Sequence, residues 1–280
     1  MDASIPMGTW HRNAVLVYYL LAFGVVWAWV FAMVLPTGFP GIGAPLKTQF
    51  PLVAAGMALG PALISLALTG VLDGATGIRE LARSLGRWRV SPFYHALALF
   101  LVPICALLVL VTLSLFAPQY RPGLFGPDAV TLIGLGAVYG LVAGGLEEIG
   151  WAGFAIRRLV GSWSVLKIGI VLGVLHGLWH FAAGYWGEGT AYGVWYIPYF
   201  VMCWILGLTG LRILIGWLYA HTRSTLLCQL AHASYTGGLV MIWPSATSPA
   251  ENVLWTSAFA LLLLAAVLSL LRVAPSPDTA

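Results

Sequence analysis

The chain has 280 residues, of which 60% are hydrophobic and only 8% charged. Soluble domains carry about 25% charged residues. The composition therefore excludes an ordinary soluble globule, and with 13 Trp, 33 Gly and a mean hydropathy of +0.93 it indicates a polytopic protein of the lipid bilayer. In such a chain the formal net charge of +4 is a topology signal and not a nucleic-acid footprint. Cys105, Cys203 and Cys228 all lie in apolar runs, which gives neither a disulfide framework nor metal-binding cysteine spacing.

Eight apolar runs are long enough to cross about 30 Å of hydrocarbon at about 1.5 Å per residue. They cover roughly 14–35, 50–72, 92–117, 129–156, 163–185, 193–220, 224–244 and 252–272. The expected fold is an all-α polytopic integral membrane protein of about eight transmembrane helices, with residues 1–280 forming a single membrane domain. The first run is too long for a signal-peptide core and lacks a small-residue cleavage site, so it is expected to be a retained helix. Proline- and glycine-containing breaks at 36–45, 118–127 and 244–249 separate the spans. The segment from Asp73 to Val90 is different. Arg79, Glu80, Arg83, Arg87 and Arg89 alternate there with Ile78, Leu81, Leu85 and Trp88, as in an amphipathic surface helix whose basic groups reach lipid headgroups, or in a solvated loop.

Lys and Arg placement sets the expected orientation. With the N-terminus inside, Arg12, Arg79, Arg83, Arg87, Arg89, Arg157, Arg158, Lys167, Arg212, Arg223 and Arg272 fall on the cytoplasmic side, and only Lys47 and Arg121 fall outside. Eleven against two favours N-in and C-in.

Two adjacent carboxylates, Glu147 and Glu148, stand in the otherwise apolar run 129–156. An acidic side chain deep in a bilayer costs roughly 2.5–3.5 kcal/mol on the insertion scale and marks a functional site by default. Gly136, Gly140 and Gly144 repeat every four residues on the same span, and Gly169, Gly173 and Gly177 do so on the next. Small residues at this spacing let helices approach closely in lipid. Glu148 continues the first row and Glu147 flanks it, so both are expected to face a helix interface.

Three histidines are placed to meet them. His176 and His180 are four apart and share a helix face. His232 has Thr236 one turn further along its own face. A carboxylate and an imidazole together move a proton from water to a leaving amine. A further imidazole and a hydroxyl donate to the oxyanion formed when water attacks a carbonyl. The set thus permits peptide hydrolysis without a covalent intermediate. The same groups offer a zinc site, because His176 and His180 have the spacing of a helical metal pair, although Gly177 stands where such motifs carry a glutamate. A carrier using these groups for proton coupling is a further reading, but it should show matching halves with broken helices, and no such repeat is visible.

Glu147-Glu148-Ile-Gly-Trp-Ala-Gly-Phe, His176-Gly-Leu-Trp-His180 and His232-Ala-Ser-Tyr-Thr236 follow one another in the order of three motifs: Glu-Glu-x-x-x-Arg, Phe-x-x-x-His and His-x-x-x-Asn. The chain thereby resembles the CAAX-protease and bacteriocin-processing family of intramembrane proteases, with a protease-like core at approximately 129–244. The resemblance implies an intramembrane endopeptidase of a bacterial plasma membrane acting on a membrane-associated peptide or protein. It implies Glu147, Glu148, His180 and His232 as catalytic residues, with Glu147 and His180 activating water. It implies Thr236 as an auxiliary group that stabilises the oxyanion with His232, whereas His176, where the family has an apolar Phe, is expected as an auxiliary group one turn from His180 that hydrogen-bonds a carboxylate. Ala152 replaces the motif arginine, His176 the phenylalanine and Thr236 the asparagine. These departures keep open the reading of a catalytically inert member, an immunity-type or partner-binding membrane protein.

Overall fold

A computed structural model describes residues 13–41 and 44–274; His11 and Arg12 lie outside this range. The helices are α1 (Ala14–Val34), α2 (Ala44–Leu85), α3 (Pro92–Ser114), α4 (Ala129–Gly150), α5 (Val165–Trp179), α6 (Phe181–Tyr192), α7 (Leu208–Thr222), α8 (Thr225–Ile242) and α9 (Pro249–Val273). Two π-helical segments interrupt the regular winding. Trp151–Ile156 extends α4 and Phe200–Gly207 leads into α7. No strand is formed among the described residues.

Helix starts follow the local chemistry. Ser91, Ser164 and Ser224 each accept a hydrogen bond from a first-turn backbone N–H. Ser248 and Glu251 form a reciprocal capping box in front of α9.

Among the described residues, six helices are long and apolar enough to cross a membrane: Ala14–Thr37, Thr48–Leu85, Pro92–Ser114, Ala129–Leu159, Phe181–Thr222 and Pro249–Val273. The architecture is all-α and polytopic, but the expected eight crossings are not reproduced one for one. The fifth run breaks at His180, leaving α5 with 15 residues, or about 22 Å, which is short of the hydrocarbon thickness. α8 has 18 residues and carries Gln229 and His232. Phe181–Thr222 turns at Gly193, where φ is 51° and ψ −124°.

The 73–90 segment is mostly helix. α2 runs through it to Leu85 with one break at Gly74, and Leu81 and Ser84 are buried. Arg157 pairs with Glu80 at 2.5 Å and Arg158 with Asp73. Ser84 Oγ and Thr225 Oγ1 are 2.8 Å apart, and Ser224 Oγ donates to the Arg87 carbonyl at 2.6 Å. These bonds tie α2, the end of the π-extended α4, and α8 together at one end of the bundle.

The glycine rows set the two closest helix contacts. A Cβ on Gly140 would lie 2.5 Å from the Ala233 carbonyl oxygen, and one on Gly144 would lie 2.5 Å from both the Ala233 nitrogen and the Gln229 oxygen. The first row therefore seats α4 on α8. In the second row, Cβ atoms on Gly169 and Gly173 would meet Ile213 and Thr209 at 2.4 Å each, which seats α5 on α7. Gln229 Nε2 also donates to the Gly145 carbonyl at 2.6 Å. The first contact brings His232 to the carboxylates, and the second brings Arg212 to His176.

Gly140→Ala is expected to destabilise the protein by about 1–3 kcal/mol through overpacking. Gly134→Ala has open space around its new methyl and is expected to be neutral or to stabilise by roughly 0.4–1 kcal/mol. Thermal unfolding in detergent checks the pair; equal effects would mean that the row does not set the contact.

Candidate active site

Glu147 and Glu148 occupy the last turn of α4 and are 3% and 0% exposed. An i, i+4 relation places Trp151 over Glu147, and Trp151 Nε1 donates to Glu147 Oε2 at 3.3 Å. His176 Nε2 lies 3.1 Å from the same oxygen. Among the described residues no donor engages Glu147 Oε1.

Glu148 is fully paired. Arg212 donates from Nη1 to Oε2 at 2.7 Å and from Nη2 to Oε1 at 2.6 Å, a bidentate geometry. His232 Nδ1 is 2.6 Å from Oε1. A carboxylate only accepts, so His232 donates from Nδ1 and leaves Nε2 for other contacts.

Arg212 also directs Nε and Nη2 at His176 Nδ1, at 3.2 and 3.0 Å. A guanidinium has donors only, so Nδ1 accepts and the neutral ring carries its proton on Nε2, donating to Glu147. The Arg212 guanidinium carbon sits 5.9 Å from the Trp151 ring centroid, and that ring also packs on His176 at 5.0 Å.

His180 stands at the break between α5 and α6, half-buried. Its ring centroid is 5.0 Å from that of His176 and stacks at 4.3 Å on Trp204, a residue of the second π-helical segment. Neither of its ring nitrogens is engaged among the described residues. Thr236 is half-buried one turn beyond His232 and makes no hydrogen bond to the other site residues. The structure thus brings Glu147, Glu148, His176, His180 and His232 into one cluster, with Thr236 at its margin.

Glu147, His176 and His180 each offer a ligand atom within 4.8 Å of one another. That spacing suits an ion, but the chemistry of the set does not. With Arg212 donating to Nδ1, His176 Nε2 holds a proton and has no lone pair for a cation. Two ligands remain, fewer than the three or four of a zinc site.

One residue departs from its sequence assignment. Arg212 is not a cytoplasmic charge; it is 1% exposed in the polar core. It supplies from α7 a guanidinium for the glutamate pair, while Ala152, at the position of the motif arginine, is fully buried in the π-helical segment. The signal was present, since an arginine inside the apolar run 193–220 is an intramembrane ionisable group. Trp151 was legible too, from its i, i+4 spacing to Glu147.

Arg212→Met leaves Glu148 buried with its charge unmatched, which is expected to cost about 3–5 kcal/mol. The double variant Arg212→Met with Glu148→Met should be markedly less destabilised than that single change. Melting temperatures in detergent report both; a double variant worse than the single would show that the pair is not the stabilising unit.

Residues 129–238 match the family model described as type II CAAX prenyl endopeptidase Rce1-like. The chain is 28% identical over 95 residues to the curated CAAX prenyl protease 2 of Methanococcus maripaludis, an alignment covering 32% of this chain and 34% of that protein. It therefore spans about a third of the relative's length. The matched region contains both carboxylates, all three core histidines and Arg212, and over that region the chain is similar to the CAAX-protease family.

Proposed function

We propose that the cluster hydrolyses a peptide bond of a membrane-associated protein or peptide by glutamate–histidine water activation. One observation carries this reading. Glu147 keeps Oε1 unengaged while both donors sit on Oε2, and His180, with two unengaged nitrogens, lies beside it. Water bound at Oε1 gives its proton to that oxygen as its own oxygen attacks the carbonyl carbon. The oxyanion is taken up on the side of His232 Nε2, the ring nitrogen left free by Glu148, with the Thr236 hydroxyl on the same helix face as a donor. The C–N bond then breaks, and the amine leaves with a proton delivered through His180. Placing general-base and oxyanion groups in a water-poor site strengthens both.

The test is cleavage of a membrane-tethered reporter peptide by the purified chain in proteoliposomes. Glu147→Gln and His180→Ala are each expected to lower kcat by about 10²–10⁴-fold with folding intact. Loss through His180→Ala alone, with Glu147→Gln active, would reject Glu147 as the base. Loss of activity to a chelator, restored by zinc, would replace the glutamate reading with a metal one. Absence of cleavage across peptide substrates would favour a partner-binding or immunity-type role.

We further infer that the end bearing Arg79, Arg83, Arg87, Arg89, Arg157 and Arg158 faces the cytoplasm of a bacterial plasma membrane, with both termini inside. Without Arg212 the charge count is ten against two, and the bias survives. A C-terminal tag should resist protease added to intact cells; a cleaved tag would reverse the assignment.

A further inference from the structure

Arg212 joins the two glutamates, one directly and the other through a histidine. Its guanidinium holds both oxygens of Glu148 and donates twice to His176 Nδ1. His176, 0% exposed, then points Nε2 at Glu147 Oε2. Two settings of this ring are available in principle: a proton on Nδ1 with Nε2 accepting, or the reverse. Arg212 excludes the first, because a protonated Nδ1 would face two N–H groups with no acceptor between them, and an unmatched buried donor costs about 1–3 kcal/mol.

We propose that Arg212 is a positioning residue whose task is to fix the tautomer of His176, so that His176 serves Glu147 as a hydrogen-bond donor and not as a base. This rests on the hydrolytic reading of the site. The consequence is local and directional. With Nε2–H and the Trp151 N–H both on Oε2, the carboxylate is anchored by one oxygen and presents the other to water. A histidine of the opposite tautomer would place a lone pair against Oε2 and release the carboxylate to rotate. The same bond removes His176 from proton transfer, which leaves that role to His180, one turn further along. Arginine suits the task because its five donors form a rigid fork that spans Glu148 and His176 together. A lysine ammonium is a point charge that pairs with Glu148 but cannot hold the same span.

The direct test is ¹⁵N imidazole spectroscopy of the full-length protein in lipid bilayers, with the His176 signals assigned by their loss in His176→Gln. Protonated Nε2 and unprotonated Nδ1 are expected; the opposite tautomer overturns the proposal. Arg212→Lys, which keeps the charge, should mix the tautomers and lower kcat for the reporter peptide on the order of 10²-fold, with KM changed by less than about threefold. A second pair of variants separates positioning from proton transfer. His176→Gln retains an acceptor oxygen for Arg212 and a donor N–H for Glu147, so its kcat should fall by less than about tenfold. His176→Leu retains neither and should fall on the order of 10²-fold. Equal losses in the two would mean that the imidazole itself is required, and the proposal fails. Unchanged cleavage in Glu147→Gln would instead reject Glu147 as the base while leaving the tautomer measurement standing.

Discussion

The bidentate pair between Arg212 and Glu148 is the constraint around which the core is arranged. Removing a carboxylate and a guanidinium from water costs several kcal/mol for each ion, and the attraction repays this only when geometry and surrounding hydrogen bonds are nearly complete. Both oxygens of Glu148 and the inner edge of Arg212 are therefore matched, with His232 and His176 taking the remaining contacts. Four groups that would each be unfavourable alone become mutually satisfied. Glu147 is the exception, held by one oxygen only, so the two neighbouring carboxylates are unequally engaged.

The pairing requires four helices to meet closely, and the glycine rows allow it. Apolar burial gives little drive for helix association in lipid, so contact there depends on packing and interhelical hydrogen bonds. The first row puts α4 against the backbone of α8, and the second puts α5 against α7. Each row lies on a helix bearing site residues and faces the helix that supplies their partner. Packing and chemistry thus share the same surfaces, which explains why polar groups are concentrated there while lipid-facing positions such as Val130, Val138 and Leu141 remain apolar.

Much of this was readable beforehand, for identifiable reasons. Long apolar runs reveal membrane helices because the bilayer imposes their length, and two acidic residues in such a run are conspicuous because lipid makes them costly. The four-residue spacing of glycines and histidines gave their shared faces. What escaped notice depended on distance in the chain. Arg212 is 64 residues from Glu148, and charge counting treats every arginine as if it faced water. Helix breaks were also obscured. A continuous hydrophobic run from 163 to 185 contains no proline or charge-rich break at His180, yet the chain ends one helix and begins another there. Hydropathy reports whether a segment belongs in lipid; it does not report whether the segment is straight.

The π-helical segment Trp151–Ile156 has a consequence for how the molecule is phased. In an α-helix each residue advances about 100° around the axis, so the directions of Glu147 and Glu148 would dictate those of Arg157 and Arg158. A wider turn between them breaks that dependence. The carboxylates face the polar core, while ten residues later the arginines meet Glu80 and Asp73 on α2. Such wide turns are uncommon and concentrate at functional sites. Here the turn acts as an angular spacer, allowing one continuous helix to answer to two azimuths, one required by its chemistry and the other by its anchorage.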